Sequence, residues 1–578
     1  MNRVGRAGLM VSYVAVAAMS MHPAWGADPP PAPPADAATT DSSAELRRLK
    51  DQLDEQRKQI EQLRSMLEAQ SKMIEKMGTP PTFEAGQHVT PRNLGQVAST
   101  TPMLPPAPPA AAPSPAPLPN PPLPQQNPET PSPLQLKIGD TTIQPVGFMD
   151  MTLVSRSTNP GSGIGTNFGS IPYKGSQAGS VTETRLSPQN SRIGARMDTG
   201  YKGTNVMGYW ESDFLGQTGA PPNGGLAVSS NPYVFRLRLF WVDVMRGKWE
   251  VLGGQSWSLM TPGRVGISPL PGNLFYSQDI DVNYQLGLVW GRIPGFRVVY
   301  HPSKQVHFGL AFENSEPYIG GANGGSAITV PALFGSANAV SGAFLGGQIN
   351  NGASVISAAA VHPDIIAKLA FDPNPKVHFE IAGVEITNKL SNPASTPVFE
   401  THTKAGGGGS INLNVELAKG FRFLTNNFWS DGGGRYIFGQ APDFIVHGDG
   451  TLSNVHSAST VTGFELTQGK TLFYAYYGGV YIPKNLAIDA NGKTLIGYGP
   501  ISNDGQNRSI QEITFGTNTT LARDPKWGAL NLMFQYSYLT RSPWLANPGA
   551  PTDAHAHMGF FNLRYTLPGS APAPRKFQ

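Results

Sequence analysis

Between residues 149 and 567 apolar and polar side chains alternate with a period of two in one segment after another. A strand sends successive side chains to opposite faces, so each such segment predicts a β-strand with one apolar and one wet face. In Ser191-Arg-Ile-Gly-Ala-Arg-Met197 one parity carries Ile193, Ala195 and Met197, and the other carries Arg192 and Arg196. In Gln305-Val-His-Phe-Gly-Leu-Ala-Phe-Glu313, Val306, Phe308, Leu310 and Phe312 oppose His307 and Glu313. The segment Phe561-Asn-Leu-Arg-Tyr-Thr-Leu567 sets Phe561, Leu563, Tyr565 and Leu567 against Asn562, Arg564 and Thr566. Unpaired guanidinium groups are too costly to bury, so the polar parity must meet water. Two architectures use such strands: a soluble β-sandwich, and a membrane barrel that turns the apolar parity to lipid and lines a lumen with the other.

The N-terminus decides between them. Arg3 and Arg6 precede the apolar run Gly8-Leu-Met-Val-Ser-Tyr-Val-Ala-Val-Ala-Ala18, and Ala24-Trp-Gly-Ala27 offers small residues to a signal peptidase. Residues 1–26 therefore read as a secretory signal, too short in its apolar part to be a membrane anchor. No later stretch approaches the length of a spanning helix, so an exported membrane protein of this sequence crosses the bilayer as a barrel, placed at 135–568 with a tail at 569–578. His301-Pro-Ser-Lys304 and Asp372-Pro-Asn-Pro-Lys376 read as tight turns, whereas 157–184, 281–294, 314–363 and 432–459 are too long for turns. Short turns at one end and long loops at the other suit an outer-membrane barrel. The segment 314–363, rich in Gly, Ala and Asn, is a candidate to fold into the lumen and narrow it; projection outward is the alternative.

Ahead of the barrel, Leu46, Leu49, Leu53, Ile60, Leu63, Leu67, Ile74 and Met77 follow a 3,4 spacing that Gln56 and Gln70 complete. This is a heptad seam and predicts an α-helical coiled coil over 43–78, capped by Ser42 or Ser43, stopped by Gly78 and roughly 50 Å long. Residues 27–42 form a Pro-rich N-terminal segment. Residues 79–134, with Pro102-Met-Leu-Pro-Pro-Ala-Pro-Pro109, form a Pro-rich linker that on full extension spans more than about 100 Å. Basic residues of the coil, among them Arg47, Arg48 and Lys72, offer contact with acidic peptidoglycan; Glu and Asp are nearly as frequent there, and a solvated charged face explains both.

Composition removes other classes. The 578 residues include 66 Gly, 53 Pro and no Cys, with a formal charge of +4, which points neither to disulfides nor to a nucleic-acid partner. A mean hydropathy of −0.23 suits a barrel, whose apolar residues occupy every second position. No Gly-x-Ser-x-Gly is present, and His307, His378, His402, His447, His555 and His557 are scattered without a nucleophile, so the chain is not read as an enzyme and no cofactor is expected. Asp553, His555 and His557 share one parity but lack a fourth ligand, and Asp489-Ala-Asn-Gly492 lacks the downstream Glu of a calcium loop.

The polar parity carries the chemistry. Arg192 and Arg196, Glu211 and Asp213, and Arg236 and Arg238 fall on three successive strands and the same face, forming a strip of cations and anions across the lumen wall. A surplus of Arg favours carboxylates and phosphates through charge-assisted hydrogen bonds; mutual neutralisation of the strip is the plainer alternative.

Asn190-Ser-Arg-Ile-Gly194, Phe235-Arg-Leu-Arg-Leu239 with Val242-Asp243, and Gly254-Gln-Ser-Trp-Ser258 resemble, in this order, the early-strand motifs of DcaP-like outer-membrane porins. The resemblance covers the coil, the first third of the barrel most clearly, and the alternation after it. It implies an all-β transmembrane barrel of about sixteen antiparallel strands, a homotrimer in the bacterial outer membrane, and a coiled coil in the periplasm. It also implies passive diffusion of small hydrophilic solutes, favouring anions such as dicarboxylates, with Arg192, Arg196, Arg236 and Arg238 as basic residues of the lumen and Glu211, Asp213 and Gln255 beside them. The Pro-rich linker and the tail after Leu567 depart from the pattern, moving the terminal assembly signal to Tyr565 and Leu567. A trimeric adhesin also joins coil to barrel, but with a short barrel and a long passenger. The remaining alternative is a structural protein tethering outer membrane to cell wall through the coil.

Overall fold

The computed structural model describes Lys50, Arg57 and Lys58 and residues 133–216, 233–274, 278–320, 327–332, 361–391, 400–499 and 506–569. Lys50, Arg57 and Lys58 are helical; the rest of the predicted coil, the signal segment and the Pro-rich linker up to 132 lie outside the described residues.

Sixteen long antiparallel strands close into a barrel. They run β1 (Thr141–Arg156), β2 (Arg192–Tyr201), β3 (Thr204–Gly216), β4 (Val234–Arg246), β5 (Trp249–Trp257), β6 (Arg292–Tyr300), β7 (Val306–Glu313) and β8 (Asp364–Asn374). The second half comprises β9 (Val377–Ser391), β10 (Thr401–Ala418), β11 (Phe421–Asp431), β12 (His456–Gln468), β13 (Thr471–Tyr481), β14 (Asn507–Asp524), β15 (Gly528–Pro543) and β16 (Ala554–Thr566). Each strand pairs with its sequence neighbour, and β1 closes the ring, pairing with β2 through Thr142–Phe148 and with β16 through Phe148–Arg156. Closure leaves no edge, which a lipid-facing sheet cannot tolerate.

The alternation sorts the faces as the sequence implies. Ile193 is 50 % exposed on the outside while Arg192 points in; Phe308, Leu310 and Phe312 face out while His307 and Glu313 are buried inside. In β16, Phe561 and Leu563 are exposed and Asn562 is buried. The outer wall is thus a broad apolar belt, aromatic near the short turns, where the rings of Trp249 and Tyr300 lie 4.6 Å apart and Tyr201 and Trp527 are exposed at other turns of the same end. Aromatic rings at this level match a membrane–water interface.

One end carries the short connections, 202–203, 247–248, 301–305, 375–376, 419–420, 469–470 and 525–527. At the other end the long connections fold back on themselves. Phe168, Ile171, Tyr436, Phe444, Ile445 and Tyr498 bury together in an apolar core there, with hairpins Phe444–Val446/Leu452–Asn454 and Asn485–Ile488/Leu495–Tyr498.

Candidate functional site

The connection between β5 and β6, described over 258–274 and 278–291, crosses the inside of the barrel. Its backbone N–H groups find partners on the inward parity of distant strands: Leu259 donates to Glu313 at 2.7 Å, Gly263 to Glu380 at 3.1 Å, Ile280 to Gln535 at 2.6 Å and Leu286 to Glu512 at 3.0 Å. Arg264 clamps Glu465 with Nη2–Oε1 2.6 Å and Nη1–Oε2 2.9 Å. An irregular backbone inside a barrel must have its hydrogen bonds supplied by the wall, and these inward acids and amides supply them. The described residues that enter the lumen therefore include 258–274 and 278–291, whereas most of 314–363, the candidate from sequence, lies outside the described residues. Of the latter, the described residues Tyr318 and Ile328 are buried at the long-loop end, and Thr329 pairs with Gly497. What draws 258–274 and 278–291 inward is physical: acids wait for them on four strands and an amide on a fifth, a feature that composition of the loop alone does not reveal.

Facing this segment stands the charged strip. Arg236 grips Asp213 through Nε–Oδ1 3.0 Å and Nη2–Oδ2 2.7 Å. Arg238 donates to Glu211 at 2.8 Å, to Asp213 at 2.7 Å and to the Tyr284 hydroxyl at 3.3 Å. Arg192 lies 3.5 Å from Glu211 with its guanidinium 5.0 Å from the Phe148 ring centre. Arg238 and both acids are buried, whereas the Arg236 side chain is 37 % exposed. A bulge explains how Arg238 and Leu239 both point inward: Glu211 pairs with Leu239 and Ser212 with Leu237, leaving Arg238 as the extra residue.

Two expected members stand apart. Arg196 is turned to Asp198 on its own strand at 2.9 Å, nearer the short turns. Gln255 pairs opposite Phe240, whose ring is 61 % exposed on the outside, and donates Nε2 to the carbonyl of Arg238 at 2.8 Å. It braces the bulged backbone under the arginine instead of lining the lumen beside it. Adjacent Gly254, at φ +129°, lies so close to β4 that a Cβ would come within 2.3 Å of the Phe240 carbonyl oxygen.

The structure adds residues that the alternation did not single out. Arg292, at the start of β6, is half-buried with its guanidinium 5.2 Å from the ring centres of both Trp257 and Trp290. Its Nη1 has no hydrogen-bond partner among the described residues. Tyr284 and Phe438 flank Trp290 at 5.2 and 4.7 Å, and both hold left-handed backbones, φ 63° and 56°. Bulky residues accept that conformation only where surroundings enforce it, and such strain clusters at functional sites. Burial pushes the Tyr284 hydroxyl up, but Arg192, Arg238 and Arg292 outweigh it and hold the phenol below its ordinary range. Asp279, buried in the same segment, is pushed well above the carboxylate range by burial first and then by Glu512 and Asp281, and neither of its oxygens has a partner among the described residues. Sequence signals for these residues existed only as a cluster of Trp and Arg around 257–292.

Elsewhere, His555 and His557 point outward from β16, and the Tyr536 hydroxyl lies 2.8 Å from His557 Nδ1. Among the described residues no group of three or more His, Asp or Glu converges as a metal site. Asp489-Ala-Asn-Gly492 forms a turn closed by Gly492 N–H to Asp489 O at 2.9 Å.

No protein-family model matches the chain, and no curated protein matches it. Among solved structures it is similar to the outer membrane channel DcaP of Acinetobacter baumannii, with a TM-score of 0.50 and 13 % identity over 74 % of this chain and 98 % of that one. An anion-selective porin from Comamonas acidovorans aligns at TM-score 0.41 and 9 % identity over 74 % of this chain and 99 % of that one. Pseudomonas putida OprB aligns at 0.39 and 10 % over 73 % and 94 %. What this chain shares with the DcaP channel is the barrel fold, in agreement with the order of the early-strand motifs.

Proposed function

We propose that the protein is an outer-membrane porin through which small hydrophilic solutes diffuse passively, favouring anions such as small dicarboxylates. One observation carries the preference: among the described residues, four guanidinium groups, those of Arg192, Arg236, Arg238 and Arg292, act on two carboxylates, Glu211 and Asp213. Glu211 and Asp213 absorb the charge of two, so the wall keeps a positive excess. Burial, then Glu512 and Asp281, push the Asp279 carboxyl well above its ordinary range, which disfavours its negative charge.

In a lumen narrowed by 258–291, a solute exchanges part of its water for these donors. A carboxylate meets planar guanidinium N–H groups at Arg236 and Arg292, which are less committed to partners than Arg238, while the aromatic walls screen the site from bulk water. Several weak positions in sequence permit both entry and release, which a conducting channel needs.

On this reading the apolar outer belt lies in the outer membrane and the short-turn end faces the periplasm, as is usual for barrels of this kind. There the predicted coil would lie, joining subunits into a trimer and within reach of peptidoglycan. Purified protein added to a planar bilayer should produce stepwise current increments. Insertion without current would leave the structural-tether role as the better account.

A further inference from the structure

Near the short-turn end, the inner wall carries a chain of histidines and acids that ends on the lumenal segment. His301, in the turn after β6, sets Nδ1 2.7 Å from Nδ1 of His307 and Nε2 3.3 Å from Glu250. His307 sets Nε2 3.5 Å from Asp372. Asp372 in turn accepts the N–H of Gly266 at 2.8 Å and faces His378 Nδ1 at 2.7 Å. His378 Nε2 lies 3.1 Å from Glu380, off the line of a hydrogen bond but within ion-pair distance. Glu380 accepts the N–H of Gly263 at 3.1 Å and faces Lys368 at 3.2 Å, and Lys368 donates to the Thr261 carbonyl at 2.8 Å.

Proton counting limits the states of the first pair. A neutral imidazole carries one N–H, and two rings meeting nitrogen to nitrogen need one proton between them. Two further protons are needed for both outer nitrogens to face their carboxylates as donors. Three protons on two rings amount to one positive charge shared by His301 and His307. A fourth proton would set two N–H groups against each other at 2.7 Å, and the contact cannot survive it. Other charges surround the pair: Asp243 of β4, Glu250 of β5 and Lys304 of the turn line one cavity with His307, Asp372 of β8 faces His307, and behind them Arg297 of β6 interacts with Asp243 and Glu250 and Lys368 of β8 with Glu380. The ring of His307 has room to respond, because a cavity of about 70 Å³ lies between it and residues 265–270. It also sits under the elbow at Gly266, whose backbone is left-handed at φ +53° and whose Cβ position is 3.4 Å from His307 Nε2.

We infer that the His301–His307 pair is a proton-operated latch that positions residues 261–266 against the lumen wall near neutral pH and releases them in acid. Histidine is the side chain whose charge changes in this range. A second charge on the pair drives His307 away from His301 and disturbs Asp372 and the Gly266 elbow, and the freed segment narrows the lumen. The effect on current rests on the porin function proposed above; the effect on the segment does not.

The test uses the full-length protein in detergent micelles and in bilayers. Amide exchange of peptides covering 258–274, corrected for intrinsic rate, should speed up roughly tenfold between about pH 7.5 and about pH 5, while β14 and β15 keep their protection. His301→Gln, which cannot take the charge, should abolish that change and also a fall in single-channel conductance of roughly twofold or more over the same range. His307→Asn serves as the second variant, with the same expected result. Equal exchange at both pH values in the wild-type protein would overturn the latch, as would an acid response that persists in either variant. If neither variant assembles, the wild-type exchange profile decides. A pH-dependent segment in a protein that passes no current would remove the porin function and leave the latch.

Discussion

Arg292 lies against Trp290, its guanidinium 5.2 Å from the ring centre, and has Trp257 at the same distance on another side. Weak hydration and a planar charge let a guanidinium rest between indoles without an acid to neutralise it. Its field therefore remains available to a solute. Arg292→Gln should shift the permeability ratio toward cations by roughly fivefold, about 1 kcal/mol at the effective dielectric of a protein-lined site. Arg292→Lys should keep most of the preference, and reversal potentials of the two variants check both.

Arg236 and Arg238 share Asp213 but differ in burial, and they should differ in consequence. Arg238→Ala takes from the buried Glu211 its nearest cation and leaves Asp213 with Arg236 alone, a loss of about 3–5 kcal/mol. Arg236→Ala removes a part-exposed partner and should cost far less. Thermal unfolding of the purified barrel should separate the variants, with Arg238→Ala melting lower; equal melting would mean that the buried pairing has been misassigned.

Asp279 gives a pH dependence with a definite sign. Burial, Glu512 and Asp281 raise its pKa in the native state, so between the ordinary carboxylate range and that raised value the folded protein holds a proton that the unfolded chain releases. Stability from this group is full in acid and is lost as pH rises through the raised pKa. Asp279→Asn should flatten the fall in stability that sets in as pH rises above the ordinary carboxylate range, with little change in ion preference. A clear gain in anion preference would show that the carboxyl is ionised in the wild-type protein.

Arg435 ties the 432–455 connection to the wall at the long-loop end. It donates to Asp443 at 2.9 Å, Ser315 at 2.7 Å and Asn388 at 2.7 Å, and pairs with Asp364 at 3.2 Å. Both acids are fully buried. Arg435→Ala should cost about 3–5 kcal/mol locally, releasing the connection without dissolving the barrel. Limited proteolysis should then cut within 432–455 while strand-to-strand protection persists.

The parity of Arg192, Ile193, Phe308 and Asn562 was legible because a two-residue period fixes the face of every residue in a regular strand. The turns at 301–305 and 375–376 were legible from Pro, Asn and Asp. The infolded segment was not, since what draws 258–291 inward is the set of acids on Glu313, Glu380, Glu465 and Glu512, spread over 200 residues of sequence. Gln255 misleads for a related reason: a bulge at Arg238 frees a carbonyl beside it, and alternation carries no mark of bulges. Arg292 begins its strand beside the infolded segment, where periodicity alone does not fix its surroundings.

The positive excess around Glu211 and Asp213 is tested most directly by the reversal potential of the wild-type protein in a bilayer under a potassium chloride gradient. The sign should be that of a channel passing chloride more readily than potassium, and it should weaken as salt is raised on both sides. A reversal potential of the opposite sign, from correctly assembled channels, would contradict the account.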